Sequence, residues 1–201
     1  VIMVDENAQI VDGDTILGIC AKDLKRRGLL KNNLVVSTVG CNLGLIKSLE
    51  EESIRVIRAA VGDRYVIQEM VQHDACLGGE KSGHMIFLDH NTTGDGIVAA
   101  LQVLKIMIET DSKLSDLAAS VKLFPQVMIN VPVKTKPPLE DLPKMQNEIK
   151  KAEMALGDSG FILVRYSGTE PLLRVTVQGP KQKAIQEIAQ LIATTAKAEI
   201  G

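Results

Sequence analysis

Aromatic residues are scarce in this chain: of its 201 residues none is tryptophan, two are tyrosine and three are phenylalanine. Nucleic-acid bases and sugar rings are commonly bound by stacking on aromatic side chains, and this scarcity argues against such a site. Recognition of a small molecule by this chain must therefore depend on polar groups, hydrogen bonds and charge.

Cysteine is also infrequent, and no C-x-x-C pair occurs. The three cysteines are Cys20, Cys41 and Cys76. Their odd number and wide spacing argue against a disulfide framework and favour a reducing compartment, so we expect a cytoplasmic protein. His73, His84 and His90 lie near Cys76 in the sequence, but their spacing matches no familiar zinc-ligand pattern.

Charge of either sign is nearly balanced, because 23 Lys and Arg face 25 Asp and Glu for a formal net charge of −2. This balance argues against nucleic acid or an anionic membrane surface as a partner, although a local basic site remains compatible with it. No apolar run is long enough to span a bilayer.

The first part of the chain, about residues 12–123, alternates strand and helix patterns. Buried-strand patterns near 34–39 and 54–60 are each followed by a helical pattern, and Asp14 and Asp63 are predicted to cap two of the helices. Such alternation predicts a sheet with parallel strand pairs that is covered by helices.

The pattern changes at Phe124, where an alternating strand pattern begins. A polar connector with two prolines at 134–138, a helix, two strands and an amphipathic closing helix over 181–198 follow it. This order predicts an α+β unit over 124–201, with a small antiparallel sheet and helices on one face.

A polar loop, residues 165–171, separates the two strands of that second unit. Arg165 supplies a forked set of donors, Ser167 and Thr169 supply hydroxyls, and Gly168 lets backbone N–H groups approach a ligand closely. This combination suits a tetrahedral dianion such as phosphate. The alternative is an ordinary hairpin tip with a structural arginine.

A second polar loop, residues 78–84, interrupts a predicted hairpin in the first unit. Glu80, Ser82 and His84 alternate, so an extended loop could present them on one side. A carboxylate, a hydroxyl and an imidazole suit vicinal sugar hydroxyls and include a group able to transfer a proton. The alternative is a glycine-rich turn whose histidine is structural.

Both loops resemble motifs of the α-D-phosphohexomutase superfamily. The letters G-E-K-S-G-H at 79–84 are similar to its sugar-binding loop, and R-Y-S-G-T-E-P at 165–171, with R-V at 174–175, to its phosphate-binding loop. The R-Y-S-G-T-E-P form and three further segments resemble the phosphoglucosamine mutases within that superfamily. These segments are V-G-D-R-Y-V at 61–66, T-G-D-G at 93–96 and F-P-Q at 124–126. The resemblance covers essentially the whole chain.

The resemblance implies a division into domains. Residues 1–11 are expected to be the tail of a preceding metal-loop domain, and 12–123 to be the third, sugar-binding domain. Residues 124–201 are expected to form a fourth domain with a fold like the TATA-box-binding protein. Because the sequence starts at Val1 and contains neither the family's phosphoserine segment nor its D-x-D-x-D-R metal loop, we expect a C-terminal fragment that is inactive alone.

The metal is the cofactor that the resemblance implies: Mg²⁺, held outside this chain. Asp12 and Asp14 look superficially like a metal loop, but the third Asp and the Arg are missing. A turn and a helix cap explain them better.

The reaction that the resemblance implies interconverts glucosamine 6-phosphate and glucosamine 1-phosphate, on the route to UDP-N-acetylglucosamine and peptidoglycan. A phosphoserine donates its phosphoryl group, a bisphosphate intermediate turns end for end, and the other phosphate returns to the serine. By resemblance, the phosphate that is not being transferred is held by Arg165, Ser167, Gly168 and Thr169. The ring hydroxyls are assigned to Glu80 and Ser82, with His84 as an acid/base or sugar contact.

Two departures from the family pattern concern specificity. Lys81 stands where Gln is frequent, and V-G-C-N at 39–42 replaces a more usual M-S-N triplet. Two alternatives stay open: a phosphomannomutase or phosphoglucomutase of the same superfamily, and a non-catalytic regulatory or assembly module. The expected partners are a phosphosugar and the N-terminal domains of the same protein, and a homodimer is left open.

Overall fold

The computed structural model describes residues 1–200, and the contacts within it divide the chain into two compact units. The first is Val1–Leu123, and the second begins at Phe124. Each unit has a hydrophobic core of its own. No helix within residues 1–200 combines the length and the apolar character needed to cross a bilayer.

The first unit begins with a short hairpin and continues with a four-stranded sheet and its helices. The elements are β1 (Met3–Val4), β2 (Ile10–Val11), α1 (Gly13–Arg26), β3 (Leu34–Thr38), α2 (Leu43–Glu50), β4 (Arg55–Ala59), α3 (Asp63–Gln72), β5 (Leu77–Gly79), β6 (Met85–Phe87), α4 (Gly96–Thr110) and α5 (Leu114–Ala119).

The sheet has the strand order β4-β3-β5-β6, in which β3 is parallel to both of its neighbours and β6 is antiparallel to β5. All five residues of β3 are buried, because both faces of this central strand are covered. Val35 packs in one apolar cluster with α1, α2, α4 and α5, whereas Leu34 and Val36 pack in another with α3. The predicted helix-covered sheet with parallel pairs is confirmed.

The direction of the connections positions the loops of this unit. The chain leaves β3 for β4 through α2 on one face, and then passes β3 to reach β5 through α3 on the other face. The strand order therefore reverses between β3 and β5, and ligands of open α/β sheets bind where such a reversal leaves a crevice at the carboxyl ends of the strands. The loops at that edge are residues 39–42, 60–62 and 80–84.

The second unit is an antiparallel sheet with its helices on one face. The elements are β7 (Gln126–Pro132), α6 (Pro143–Leu156), β8 (Phe161–Tyr166), β9 (Leu172–Gln178) and α7 (Gln182–Ile200). The strand order is β7-β9-β8, and alternate residues of β9 are buried in one core with Ile185, Ala189 and Ile192 of α7. The α+β prediction is confirmed, and the candidate phosphate loop is the connection between β8 and β9.

Two of the predicted helix caps are wrong. Asp12, not Asp14, caps α1: its Oδ1 accepts a hydrogen bond from the Thr15 N–H at 3.0 Å, and Asp14 lies inside the first turn. Asp63 is the first residue of α3, and Gly62 with φ of +130° occupies the cap position. An Asp near a helix start can serve as the cap or lie in the first turn, and the local sequence does not distinguish the two.

Candidate functional site

Glu80 lies at the carboxyl end of β5, where it connects two of the loops at the open edge of the sheet. Its Oε1 accepts a hydrogen bond from the Gly62 N–H, at the end of β4, at 2.9 Å. Its Oε2 accepts one from the Ser82 hydroxyl at 3.3 Å. Because a carboxylate has about four acceptor sites, Glu80 is held in place and can still accept hydrogen bonds from a ligand.

The backbone of residues 80–84 forms a tight turn. Glu80 N–H donates to the His84 carbonyl at 3.0 Å, and Gly83 N–H donates to the Glu80 carbonyl at 2.9 Å. Gly83 has φ of +89°, a conformation that favours glycine. The structure thus brings Glu80 and Ser82 into contact within one turn.

His84 extends from this turn towards residues 93–96, one of the segments that resemble phosphoglucosamine mutases. A Cβ on Gly94 would lie 2.1 Å from His84 Nε2, so the ring packs directly on the backbone there. Nε2 is 3.6 Å from Asp63 Oδ2, which is longer than a hydrogen bond, and it has no hydrogen-bond partner within residues 1–200. Asp63 and Gly94, which belong to the family-like segments 61–66 and 93–96, both lie beside His84.

The N-terminus of α1 packs against the same turn with no side chain between them. A Cβ on Gly13 would lie 2.1 Å from the Glu80 carbonyl oxygen and 2.6 Å from the Gly83 nitrogen. Gly13 N–H donates to the Lys81 carbonyl at 3.1 Å, and Lys81 Nζ lies 3.6 Å from Asp12 Oδ2. The side chain of Lys81 is therefore directed to the α1 cap.

Asp14 is a fully buried carboxyl beside this contact, which the sequence had treated only as a cap. Its Oδ2 accepts a hydrogen bond from the Asn42 N–H at 2.9 Å, and Oδ1 has no partner within residues 1–200. Burial raises the pKa of Asp14 to about 7; Lys81 opposes this rise and Asp12 adds to it. Asn42 caps α2, so Asp14 joins the start of α1 to the turn that follows β3.

Neither of the metal sites considered from the sequence forms here. Asp12 is occupied as a helix cap and Asp14 is buried against a backbone N–H. Over residues 1–200, no three His, Cys, Asp or Glu side chains are grouped so that they could hold a metal ion. Within residues 1–200, Asp12 and Asp14 therefore do not form a magnesium site.

Ser167 is the structural centre of the loop in the second unit. Its N–H donates to the Leu172 carbonyl at 2.8 Å, and its hydroxyl lies 3.4 Å from Glu170 Oε2 and accepts from the Glu170 N–H at 3.3 Å. Its carbonyl accepts a hydrogen bond from Lys136 Nζ at 2.6 Å. Ser167 is buried, and every polar group that it has is engaged inside the protein.

Over residues 1–200, the donor groups of the other three predicted phosphate ligands are not engaged inside the protein. Within the described part of the chain, the Arg165 guanidinium, the N–H groups of Gly168 and Thr169, and the Thr169 hydroxyl have no hydrogen-bond or ion-pair partner. Gly168 and Thr169 are exposed and Arg165 is partly buried. Two adjacent N–H groups beside an unpaired guanidinium are the donors that an anion requires.

Arg174 is a second cation beside this loop, in the R-V segment that the resemblance groups with the phosphate-binding loop. It lies directly opposite Arg165 in the pairing of β8 with β9, so both side chains leave the same face of the sheet. Arg174 Nη2 donates to Glu170 Oε2 at 2.6 Å and to the Ser167 hydroxyl at 3.3 Å. Since Glu170 balances Arg174, the charge of Arg165 is the one that remains for a ligand.

Comparison with protein families agrees with this geometry. Residues 12–124 match the description "Phosphoglucomutase/phosphomannomutase, alpha/beta/alpha domain III", and residues 128–195 match "Phosphoglucomutase/phosphomannomutase, C-terminal domain". The chain belongs to the phosphoglucomutase/phosphomannomutase family. The expectation that the chain contains the third and fourth domains of this family is thereby confirmed.

Within the phosphoglucomutase/phosphomannomutase family, the chain is similar to enzymes named phosphoglucosamine mutase. It is 59% identical over 201 residues to that of Protochlamydia amoebophila and 56% identical over 200 residues to that of Chlamydia trachomatis serovar D. Each alignment covers 100% of this chain and 44% of the relative, so the chain spans less than half the length of these proteins.

A solved structure shows the same fold at low sequence identity. Aspergillus fumigatus N-acetylphosphoglucosamine mutase, in complex with GlcNAc-6P and magnesium, aligns with a TM-score of 0.82 and 18% identity. The alignment covers 100% of this chain and 46% of the fungal chain.

Asp14 should make stability depend on pH. Its pKa in the folded chain, about 7, lies above the ordinary 3.8, so the folded state retains a proton that the unfolded chain releases between these values. The free energy of unfolding should therefore fall as pH rises from 4 to 7, by on the order of 3 kcal/mol. Asp14→Asn, which keeps one acceptor for the Asn42 N–H and cannot ionise, should lack this fall.

Urea denaturation followed by circular dichroism at pH 4.5, 6 and 8 measures the effect. Asp158→Asn, at a non-buried carboxyl in the second unit, serves as the control and should follow the unmodified chain. An Asp14→Asn profile parallel to that of the unmodified chain would show that Asp14 does not titrate in this range.

Proposed function

We propose that this chain provides the sugar-binding and phosphate-binding parts of a phosphoglucosamine mutase, which interconverts glucosamine 6-phosphate and glucosamine 1-phosphate through a phosphoserine and a bisphosphate intermediate. The observation that carries the proposal is the set of unpartnered donors at 165, 168 and 169 on a loop whose other polar groups are engaged. A guanidinium, two adjacent backbone N–H groups and a hydroxyl that are not used inside the protein are donors available to an anion.

The phosphate end of the substrate is assigned to Arg165, Gly168 and Thr169. A phosphosugar carries a dianion with several acceptor oxygens, and a guanidinium with two backbone N–H groups and a hydroxyl supplies charge-assisted hydrogen bonds to it. Ser167, which the resemblance also assigns to the phosphate, is retained as a fourth ligand. Its hydroxyl contacts Glu170 in the free loop, so a phosphate that used this hydroxyl would have to displace that contact.

The sugar end is assigned to Glu80 and Ser82. Each carboxylate oxygen of Glu80 already accepts one hydrogen bond and retains a lone pair, so two ring hydroxyls could donate to it. The Ser82 oxygen can accept a further hydrogen bond while its proton points to Glu80. His84 is kept as an acid/base or sugar contact on the family resemblance, because its Nε2 is buried against Gly94 and the ring would have to turn to reach a sugar oxygen.

Positioning is the contribution of this chain to the reaction. An intermediate that turns end for end must be held through its ring hydroxyls and its spare phosphate in either orientation, while the phosphoryl group moves to or from the serine. Orientation and charge stabilisation are the main means by which proteins accelerate phosphoryl transfer. We place the serine and the Mg²⁺ loop in other parts of the enzyme, as the family resemblance implies.

The similarity to phosphoglucosamine mutases favours glucosamine phosphate over the mannose and glucose phosphates of the alternative enzymes. Competition between hexose 6-phosphates for binding distinguishes these substrates.

The buried thiols Cys20, Cys41 and Cys76 support a reducing compartment, and we propose the cytoplasm.

Arg165→Ala should weaken binding of glucosamine 6-phosphate by roughly 2–3 kcal/mol, or about 30- to 150-fold, because it removes charge-assisted hydrogen bonds to a dianion. Titration of the 201-residue chain, followed by NMR, measures the constant. Arg55→Ala, at an exposed arginine of β4, is the matched control and should bind like the unmodified chain. Equal constants for Arg165→Ala and the unmodified chain would contradict the phosphate assignment.

Glu80→Ala should separate sugar recognition from phosphate recognition. We expect its affinity for glucosamine 6-phosphate to fall roughly 5- to 30-fold, because acceptors for the ring hydroxyls are lost, while its affinity for inorganic phosphate stays unchanged. Glu50→Ala, at the exposed end of α2, is the control. A parallel loss of both affinities in Glu80→Ala would argue against a sugar-specific role.

The chain by itself should not catalyse the mutase reaction. With glucosamine 6-phosphate, Mg²⁺ and a bisphosphate activator, we expect no glucosamine 1-phosphate above the blank, because the sequence contains no D-x-D-x-D-R loop. The full-length relative from Protochlamydia amoebophila is the positive control. Measurable turnover would overturn the assignment of the transfer step to other segments, and phosphosugar binding without any effect of Arg165→Ala or Glu80→Ala would favour a regulatory module.

A further inference from the structure

The peptide group between Ser167 and Gly168 is bound at one end only. Its carbonyl oxygen accepts a hydrogen bond from Lys136 Nζ at 2.6 Å, whereas its N–H, which belongs to Gly168, has no partner within residues 1–200. In a trans peptide group the C=O and the N–H point in opposite directions. The ammonium group on one side therefore determines that the Gly168 N–H is directed to the other side.

Packing restrains the Gly168 side of this peptide group little. A Cβ built on Gly168 would meet no heavy atom within 4 Å, so the space on that side of the residue is open. Glycine has access to more backbone conformations than any other residue, and a peptide plane that precedes it can rotate at low cost. The orientation of the Gly168 N–H thus depends on hydrogen bonds, and the one to its own peptide group comes from Lys136.

The segment that carries Lys136 is itself fixed beside the loop. Val133 N–H donates to the Pro171 carbonyl at 2.9 Å, at the far end of the loop, and two prolines follow at 137 and 138. Proline restricts the backbone of its own residue and of the residue before it, which stiffens this connector. Lys136 is consequently presented to the Ser167 carbonyl from a restrained backbone.

The charge of Lys136 has a second effect on the same peptide group. A cation at the carbonyl oxygen withdraws electron density through the conjugated amide and strengthens its N–H as a donor, as occurs along chains of hydrogen bonds. Orientation and polarisation act in the same direction: both prepare the Gly168 N–H for an anion.

We propose that Lys136 is a positioning residue of the phosphate loop, which sets the direction and the donor strength of the Gly168 N–H by binding the carbonyl oxygen of the same peptide group. This inference rests on the proposed function, because it assumes that the loop binds the phosphate of a phosphosugar. It adds a residue outside the 165–171 motif to that site.

Lys136→Met, which keeps the length of the side chain and removes its charge, tests the inference, with Lys134→Met on the same connector as the control. In the chain without phosphate, the Gly168 amide resonance in a ¹H–¹⁵N spectrum should shift in Lys136→Met and stay in place in Lys134→Met. Titration with inorganic phosphate and with glucosamine 6-phosphate should give constants about fivefold weaker for Lys136→Met only. Lys136→Gln supplies the same comparison if Lys136→Met does not fold.

The outcomes separate this inference from the proposed function. Weaker binding with an unmoved Gly168 resonance would show that Lys136 contacts the anion itself, which overturns a positioning role. Unchanged binding and an unchanged resonance would overturn it as well. If Arg165→Ala weakens binding and Lys136→Met does not, only the inference fails, whereas an Arg165→Ala variant that binds like the unmodified chain removes the proposed function.

Discussion

The pairing of β3 with β4 on one side and β5 on the other is the constraint on which the first unit depends. Parallel strands require crossover connections, and here the two crossovers cover opposite faces of the sheet. The carboxyl ends of the three strands consequently meet at one edge. Glu80 and Gly62 are 18 residues apart in the sequence, and this strand pairing is what brings them within hydrogen-bond distance.

In the second unit, the strand pairing places two arginine side chains close together beside the loop. Strand register places Arg165 and Arg174 opposite each other, and two like charges in that position are unfavourable unless something balances them. Glu170, held by the Ser167 hydroxyl, balances Arg174 and leaves Arg165 for an anion. Glu170 thus stabilises the loop, and the neighbouring residues of the motif stay available for a ligand. This division among four adjacent residues explains why a short motif contains both buried and exposed polar groups.

Much of the fold could be predicted from the sequence, because the signals are local. The apolar start of the buried strand β3, the alternation in β7 and β9, and the change of pattern at Phe124 all follow from the periodicity of side chains. The prediction that Asp14 caps α1 was wrong, since Asp12 and Asp14 have the same side chain and differ only in their backbone conformation in the fold.

The contacts that define the candidate site were less accessible to sequence reasoning. Nothing near Asp14 in the sequence indicates that its carboxylate meets Asn42, 28 residues away. Lys136 and the Ser167 carbonyl are 31 residues apart, and no local pattern relates them. The sequence motif identified the loop. Only the structure shows that the polar groups of Ser167 are hydrogen-bonded inside the protein and that, among the described residues, those of Gly168 and Thr169 are not.

The absence of a side chain at Gly13 has a mechanical consequence. With backbone touching backbone, the 14-residue helix α1 and the turn at 80–84 have no deformable layer between them, so neither can shift without displacing the other. Close-packed interiors of this kind transmit strain and do not absorb it. If the turn binds a sugar as proposed, it should lose little affinity to ordering, because the backbone of the turn is already held by a helix.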